Sequence, residues 1–268
     1  PRPIDATTTE IYDYLRLLFA RIGIPHCPIS GKRLKKDTPT SGAKYCVKHF
    51  DGKKLIILAP LYRPATKHPT FLQNPAEINR ITKDLQQEGF VRLYIGKKEV
   101  RLDEWSEKKY KSLLQKKSTT IDLVIDRIQV SAKIQKRIAE AIETAYAKAH
   151  GIVKLFMVDS QEHEPVFLSE MLGCVETDFF QEEALTPRMF SFNSHVGACP
   201  VCDGLGEVQS FRGSSICSSC HGQRLKPEYL AVKIQRQNIS EFCTLSVLDA
   251  QTQLSTWKLT HNEKTVAE

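Results

Sequence analysis

The chain has 268 residues, a hydrophobic fraction of 41% and a formal net charge of +7 at pH 7. This length and apolar content exclude a disordered tail and allow either one large domain or two to three small ones. Eight cysteines, four of them in Cys-x-x-Cys pairs, do not form a secreted disulfide scaffold, and no apolar run reaches the roughly 18 residues of a membrane helix. The N-terminus has no basic start followed by an apolar core, so we expect a reducing, cytoplasmic environment.

The charge is unevenly distributed along the chain. Residues 31–54 hold eight Lys/Arg against Asp37 and Asp51, whereas residues 155–187 hold eight Asp/Glu and no Lys or Arg. Such segregation is typical either of surfaces for charged partners or of two well-solvated faces, and the charges alone do not separate these interpretations.

The first predicted element is a helix that is capped by Thr8 or Thr9 and ends at Gly23. Apolar residues recur on one of its faces, namely Ile11, Leu15, Leu18, Phe19 and Ile22. Residues 27–52 are basic, polar and rich in proline and glycine, and they predict an irregular connector.

Residues 53–160 predict a compact α+β module with hairpins and only two packed helices. Its predicted strands are Leu55–Ala59, Phe90–Ile95, Glu99–Leu102, Thr119–Val130 and Ile152–Val158. One helix is expected to open at Asn74, a charged helical stretch covers Glu104–Gln115, and a strong helix is capped by Ser131.

This module shows no catalytic constellation. Its carboxylates form no spaced pair that a general acid and base would need. The histidines are single and are interpreted as solvated surface residues, namely His49, His68, His150 and His163. We therefore expect the module to bind a partner, and a free-standing enzyme is the weaker alternative.

Two Cys-x-x-Cys pairs, Cys199/Cys202 and Cys217/Cys220, are each followed by a glycine-bearing turn. Such a turn places two sulfurs on one metal ion, and two turns complete a tetrahedral shell. The 14 residues between the pairs (203–216) fall just under the usual roughly 15 to 20, which a short hairpin can absorb. Disulfides or a redox motif are the alternatives, but a redox pair stands alone at a helix start. We therefore predict one structural zinc ion.

The tail that begins at Pro227 predicts a strand at Leu230–Ile234, a helix cap at Asn238–Ser240 and helical stretches through Leu254. The sequence contains no GxxxxGK[ST] phosphate loop.

Four stretches of the sequence resemble the UvrA family, the ATP-binding damage-recognition subunit of the bacterial UvrABC excinuclease, in the order of that family. They are TEIYDYLRLLFARIG at 9–23, DRIQV…AEAIETA at 126–145, PRMFSFNSHVGACPVCDGLG at 187–206 and CSSCHGQRLKPEYLAV at 217–232. The chain starts PRPIDATT without an initiator Met, and the resemblance implies an interior segment, with the phosphate loop before it and the LSGG signature and magnesium-binding carboxylate after it.

The resemblance implies an α+β fold with a small mixed insertion domain, a zinc module and part of an ABC-type ATPase signature domain. The implied domains are 1–29 (part of the ATPase domain), 30–165 (UvrB-binding-like), 166–236 (zinc module) and 237–268 (start of the helical signature domain). For the longer protein it implies ATP and magnesium, damaged double-stranded DNA, UvrB and a homodimer.

The resemblance also assigns candidate binding residues. Arg92 and Arg127 match the segments that hold the family's UvrB-contacting arginines; the alternative is that they are ordinary sheet-edge arginines. Phosphate contacts to DNA are expected from Arg212, Arg224, Lys226, Lys233 and Arg236, and such contacts would be sequence-blind and salt-sensitive. The alternative for these five is solubilising surface charge.

A second zinc site of the family is degenerate here. The Cys-Pro-x-His half matches Cys27 to Ser30, the CxxC half matches Cys174 to Thr177, and each half has lost a ligand to a hydroxyl. Because hydroxyls do not replace a thiolate and an imidazole, we predict that this site is empty. A rescue by the ligand-spaced pair Cys46 and His49 is the alternative.

Cys243 is taken as a buried small hydrophobic residue. A zinc-dependent chaperone module of the Hsp40 type is the rival function, because CxxCxGxG is also its repeat. That class needs four repeats and a J domain with His-Pro-Asp, which this sequence lacks.

Overall fold

The structure is a computed structural model that describes residues 11–63, 77–96, 98–106, 108, 120–158, 164–181, 184–211 and 213–257. The chain divides into two compact units, one formed by residues 1–34 and 183–268 and the other by residues 35–182. None of the helices in the described ranges combines the length and hydropathy that crossing a bilayer requires.

The secondary structure alternates between helices and strands. The α-helices are α1 (Ile11–Ile22), α2 (Pro39–Phe50), α3 (Ile78–Gln87), α4 (Gln135–Lys148), α5 (Pro227–Leu230), α6 (Ile239–Phe242) and α7 (Val247–Thr256). The strands are β1 (Ile24–Pro25), β2 (Lys54–Tyr62), β3 (Arg92–Ile95), β4 (Lys98–Arg101), β5 (Ile121–Gln129), β6 (Ile152–Met157), β7 (Val166–Ser169), β8 (Gly173–Cys174), β9 (Phe179–Phe180), β10 (Glu207–Ser210), β11 (Gly213–Ile216) and β12 (Val232–Lys233).

The 35–182 unit is built on a six-stranded sheet with the order β4-β3-β5-β2-β6-β7. Every neighbouring pair in it is antiparallel. The five strands predicted between Leu55 and Val158 are confirmed within two residues at their ends, apart from β2, which runs three residues further, to Tyr62. The sequence-based boundary at 165/166 falls just before β7, which completes this sheet.

The two faces of the sheet have different cover. Side chains alternate along a strand, so Leu55 and Ile57 face one side of β2 and Ile56 and Leu58 face the other. The first side packs on α2, α3 and α4 and forms the main core of the unit. The second side carries smaller apolar clusters, one of which consists of Ile56, Leu58 and Val124 and is flanked by the half-buried rings of Tyr94 and Phe156.

The expectation of an irregular connector at 27–52 is wrong for its second half, because helix α2 lies there. Thr38 and Ser41 form a capping box, with the Thr38 hydroxyl accepting from the Ser41 N–H at 3.1 Å, and Pro39 takes the first helical position. Gly42 is no helix breaker but a packing residue, since a Cβ there would come within 2.9 Å of Leu168 Cδ1. We had interpreted proline and glycine as turn signals only.

Helix α4 confirms the predicted apolar face, with Ile138 and Ile142 fully buried. The expected cap by Ser131 is only partly correct. Ser131 stands in extended backbone before a 3₁₀ turn (Ala132–Ile134), but its side chain makes no capping hydrogen bond. The charged stretch 104–115 and the helix opening at Asn74 lie largely outside the described residues.

The unit formed by residues 1–34 and 183–268 has an aromatic core. Helix α1 buries Tyr12, Leu15 and Phe19 against Phe190 and Tyr229. The Tyr12 hydroxyl donates to the backbone carbonyl of Phe190 at 2.8 Å, so the buried phenol is satisfied. The cap that the sequence places at Thr8 or Thr9 lies outside the described residues.

The tail differs from its prediction at one element. Residues 230–234 do not form one strand, since the short helix α5 ends at Leu230 and only Val232–Lys233 pair, with β1. Pro227 at the first helical position explains the turn. The cap at Asn238 is confirmed, because its side chain accepts from the Glu241 N–H at 2.8 Å.

Candidate metal centre and charged sheet face

The four cysteines of the two Cys-x-x-Cys pairs converge, and all four are buried. Their sulfur atoms lie within 4.8 Å of one another, with 3.9 Å between Cys199 and Cys217 and 3.7 Å between Cys202 and Cys220. A tetrahedron with Zn–S bonds of about 2.3 Å has sulfur atoms about 3.8 Å apart. A disulfide would need about 2.05 Å. The sulfur positions therefore fit one tetrahedral metal ion, and the sulfur atoms are too far apart for disulfide bonds.

The two loops that carry the cysteines have the same backbone conformation. Asp203 and His221, which follow the second cysteine of each pair, have φ of 48° and 50°. The glycines after them, Gly204 and Gly222, have φ of 74° and 83°. Left-handed backbone of this kind turns amide N–H groups toward the sulfurs, and only glycine adopts it without cost. The glycine-bearing turns in the sequence thus predict the loops correctly.

Backbone amides set the electrostatics of the thiols. The Gly206 N–H donates to Cys202 Sγ at 3.2 Å. Amides of residues 219 and 220, the latter with the largest effect, lower the pKa of Cys217 to about 7, whereas burial raises the pKa of Cys220 to about 12. Amide donors of this kind stabilise thiolate ligands, so the loops supply the outer support that a metal-bound sulfur needs.

The basic residues that the sequence assigned to DNA contacts have different surroundings. Arg224 is half-buried, with its guanidinium 3.5 Å from the centroid of the Phe192 ring and its Nε donating to the Gly204 carbonyl at 2.7 Å. Lys226 lies 6.0 Å from the Tyr229 ring centroid. Lys233 is half-buried in β12, Arg236 is exposed, and Arg212 lies outside the described residues. Arg224 therefore braces the metal loop, and Arg236 has the most accessible charge of the four.

The two halves of the degenerate second site fall in different units. In the first, the Ser30 N–H donates to Cys27 Sγ at 3.3 Å. In the second, the Cys174 thiol donates to Glu176 Oε2 at 3.2 Å, and the Thr177 hydroxyl donates to the Cys174 carbonyl. The empty second site stays a prediction.

The remaining cysteines have apolar surroundings. Cys46 is fully buried in the main core, where burial raises its pKa to about 12, while His49 on the same helix is exposed. This arrangement does not favour a rescue of the second site by that pair. Cys243 is half-buried, against the expectation of full burial, and burial raises its pKa to about 12.

Arg92 and Arg127 converge on a single carboxylate, Glu99. Arg92 forms an ion pair with Glu99, with 2.9 Å between Arg92 Nε and Glu99 Oε1, and the Arg127 Nη2 donates a hydrogen bond to Glu99 Oε2. Tyr94 lies directly opposite Glu99 in the β3–β4 hairpin. All these side chains stand on the second face of the sheet, opposite the helices. We call Arg92, Glu99 and Arg127 the charged triad.

A β-bulge explains why Arg127 is on this face. Along β5, Ile121 and Leu123 pack toward the helices, and strict alternation would send Arg127 the same way. Between Ile57 and Leu58 of β2 the register shifts by one residue, so Asp126 lies opposite Ile57 and Arg127 opposite Ile56. The bulge therefore turns Arg127 toward Glu99.

The sequence interpretation missed Glu99 and the bulge. It also missed a buried ion pair on the same face, in which Lys154 Nζ donates to Asp122 Oδ2 at 2.5 Å. Opposite charges at alternating strand positions were the available signal, but the register that joins them is set by tertiary structure.

Comparison with known families gives one domain match. Residues 43–159 match the model described as the UvrA interaction domain. This range contains all six residues discussed for the second face of the sheet: Arg92, Tyr94, Glu99, Asp122, Arg127 and Lys154.

Curated relatives extend the similarity over most of the chain. The chain is 37% identical over 211 residues to UvrABC system protein A of Pseudomonas putida, which covers 79% of the chain and 21% of that protein. The protein of the same name from Deinococcus radiodurans is 35% identical over 215 residues, covering 79% and 20%. The Thermus thermophilus protein is 37% identical over 211 residues, covering 79% and 21%. The chain thus spans about a fifth of the length of these relatives.

Proposed function

Since residues 43–159 match the UvrA interaction domain and the chain is similar to UvrABC system protein A, we propose that the chain is part of a nucleotide-excision-repair protein. The whole protein would recognise damaged double-stranded DNA and load UvrB. In this proposal the 35–182 unit carries the surface to which UvrB binds, and the four-cysteine loops form a structural zinc module.

The observation that carries the docking role is the convergence of Arg92 and Arg127 on the second sheet face. Each arginine side chain is 42% exposed, so N–H donors that are not directed at Glu99 can reach a partner. Arginine presents planar paired donors that match carboxylates, and interfaces are enriched in it. A partner surface with acidic side chains is the complement of this pair.

The docking proposal is tested by calorimetric titration of purified UvrB into the 268-residue chain. We expect the double variant Arg92→Glu and Arg127→Glu to weaken binding by roughly 100-fold, since like charges would then face the acidic partner. Arg137→Glu is the matched control, because Arg137 is an exposed arginine that pairs with Asp126 beside helix α4. Equal loss in the control, or no loss in the double variant, would show that UvrB does not dock on this face.

The proposed zinc role rests on the sulfur geometry and on the amide donors to Cys202 and Cys217. Zinc would fix the two loops relative to each other and so hold the β10–β11 hairpin and α5 in place. Phosphate contacts from Arg236, Lys233, Lys226 and Arg212 would then be sequence-blind. Arg224 supports this surface from inside, through Phe192 and Gly204.

The ATPase chemistry belongs to the rest of the protein in this proposal. The sequence has no phosphate loop, and we expect no ATP hydrolysis by this segment alone. ATP, magnesium, the homodimer and a cytoplasmic location are proposed for the longer protein on the strength of its UvrA-like relatives.

A further inference from the structure

We propose that Glu99 is a positioning residue for partner binding, which holds Arg92 and Arg127 side by side on the open sheet face. The inference rests on the proposed docking function and adds to it a residue that carries the wrong charge for an acidic partner. Its basis is the geometry of the charged triad.

The two arginines come from different strands and would not meet without a shared acceptor. Arg92 is on β3 and Glu99 on the adjacent strand β4, where Glu99 lies opposite Tyr94. Arg127 is on β5, on the far side of β3, so its side chain has to cross β3 to reach Glu99. Two guanidinium groups repel each other. The carboxylate between them attracts both, so the net interaction of the three groups is favourable.

Glu99 is itself fixed. Its carboxylate forms ion pairs with Arg92 and Arg127 and accepts a hydrogen bond from the Arg127 Nη2. The bulge in β5 supplies the other half of the arrangement, because it places Arg127 on the same face. A carboxylate held by arginines from two different strands is suited to positioning them, whereas a freely rotating counter-ion would not be.

Each arginine uses only part of its donor set on Glu99. Arg92 contributes its Nε, and Arg127 contributes an Nη. Because a guanidinium has five N–H donors in a fixed plane, those not directed at Glu99 remain for a second carboxylate. The triad therefore presents two oriented guanidinium groups with a net charge of +1, and a partner meets them without ordering two long side chains first.

The structure also provides a matched control for the charge itself. Arg101 and Asp103 form another exposed ion pair, with Arg101 directly opposite Arg92 in the β3–β4 hairpin. Glu99→Gln and Asp103→Asn each remove one negative charge close to Arg92. If Glu99 acted only through its charge, both variants would bind an acidic partner more tightly. If Glu99 positions the arginines, Glu99→Gln weakens binding and Asp103→Asn does not.

The binding experiment titrates purified UvrB into the 268-residue chain and its variants. We expect Glu99→Gln to weaken binding by about 3- to 10-fold, as the loss of preorganised side chains should. Asp103→Asn is expected to leave the affinity within about twofold or to increase it. Unchanged or tighter binding by Glu99→Gln, while reversal of both arginines abolishes it, would overturn the inference.

A second measurement does not depend on UvrB. Nuclear magnetic resonance of the arginine side chains should show the Arg127 Nη–H protons, which donate to Glu99, exchanging slowly with water in the wild-type chain and markedly faster in Glu99→Gln. If exchange is equally fast in both, Glu99 positions nothing and the inference fails. If exchange changes as expected but the arginine reversals do not affect UvrB binding, the docking proposal fails while the positioning of the arginines stands.

Discussion

The four-cysteine cluster is closed and buried, whereas the charged triad is open and half-exposed. In the cluster, the four sulfurs lie within 4.8 Å of one another and accept from surrounding amides, an arrangement that suits a shared metal ion. In the triad, three side chains satisfy one another and still face solvent. Substitutions in a buried cluster are therefore expected to lower both function and stability, whereas substitutions in an exposed cluster can lower function alone.

The largest expected effect comes from opening the buried site. Cys202→Ser should abolish stoichiometric zinc and lower the free energy of unfolding of its unit by more than about 5 kcal/mol, because structural zinc contributes apparent binding free energies of about 10–16 kcal/mol. Metal content by mass spectrometry and denaturant unfolding check this.

Cys243→Ser is the control for that variant, since this cysteine is outside the cluster. We expect it to retain one zinc per chain and to lose only about 1 kcal/mol. A wild-type chain without zinc would contradict the metal centre, and two zinc ions per chain would contradict the empty second site.

A smaller effect is expected from the ion pair of Asp122 and Lys154. This pair is buried, although it lies on the same face of the sheet as the half-exposed triad. Asp122 is 1% exposed, and its Oδ1 has no hydrogen-bond partner among the described residues. Lys154→Met should lower the free energy of unfolding by about 3–5 kcal/mol at pH 7, because it leaves a buried carboxylate uncompensated. The exposed Lys136→Met is the control.

The loss in Lys154→Met should depend on pH. Burial raises the pKa of Asp122, and Lys154 opposes that rise. A raised folded-state pKa means that the contribution of the group is fully present below its unfolded pKa of about 3.9 and is lost as the pH rises through the folded value. Without Lys154 the folded pKa rises further, so the deficit should be small near pH 3 and grow toward pH 7. A deficit that does not change with pH in urea unfolding would contradict the buried charge.

The smallest expected effect on stability comes from the triad itself. The double variant Arg92→Ala and Arg127→Ala should change the free energy of unfolding by no more than about 1 kcal/mol, because half-exposed ion pairs contribute little. The same variant should lose most of its affinity for UvrB. A stability loss as large as that of Lys154→Met would remove the distinction between the two kinds of site.

The degree to which each feature could be predicted follows the same division. The metal loops were predictable because Cys-x-x-Cys spacing, glycine and a hairpin are all local. The strands were predictable from alternation, and α4 from its apolar face. Helix α2 was not, because Pro39 and Gly42 act there as a helix start and a packing residue, and only the proximity of Ile142 and Leu168 shows this.

The triad could not be predicted from the residues alone. Its outermost members, Arg92 and Arg127, are 35 residues apart, and the hydrogen-bonded pair Arg127 and Glu99 is 28 residues apart. They meet only because β3 lies between β4 and β5 and because a bulge shifts the parity of Arg127. Neither the strand order nor the bulge has a signal in the local pattern, so the resemblance to a family located the arginines and the structure supplied Glu99.

The unit formed by residues 1–34 and 183–268 is discontinuous along the chain, and this affects how the chain folds. Strand β1 pairs with β12, and α1 packs against Phe190 and Tyr229, so the entire 35–182 unit is synthesised between the two halves of one core. The inserted unit has all its strands in one continuous segment and can fold while the ribosome is still translating. Until residues beyond 183 emerge, α1 exposes the apolar face of Leu15 and Phe19, and that interval is when the nascent chain is most prone to aggregate.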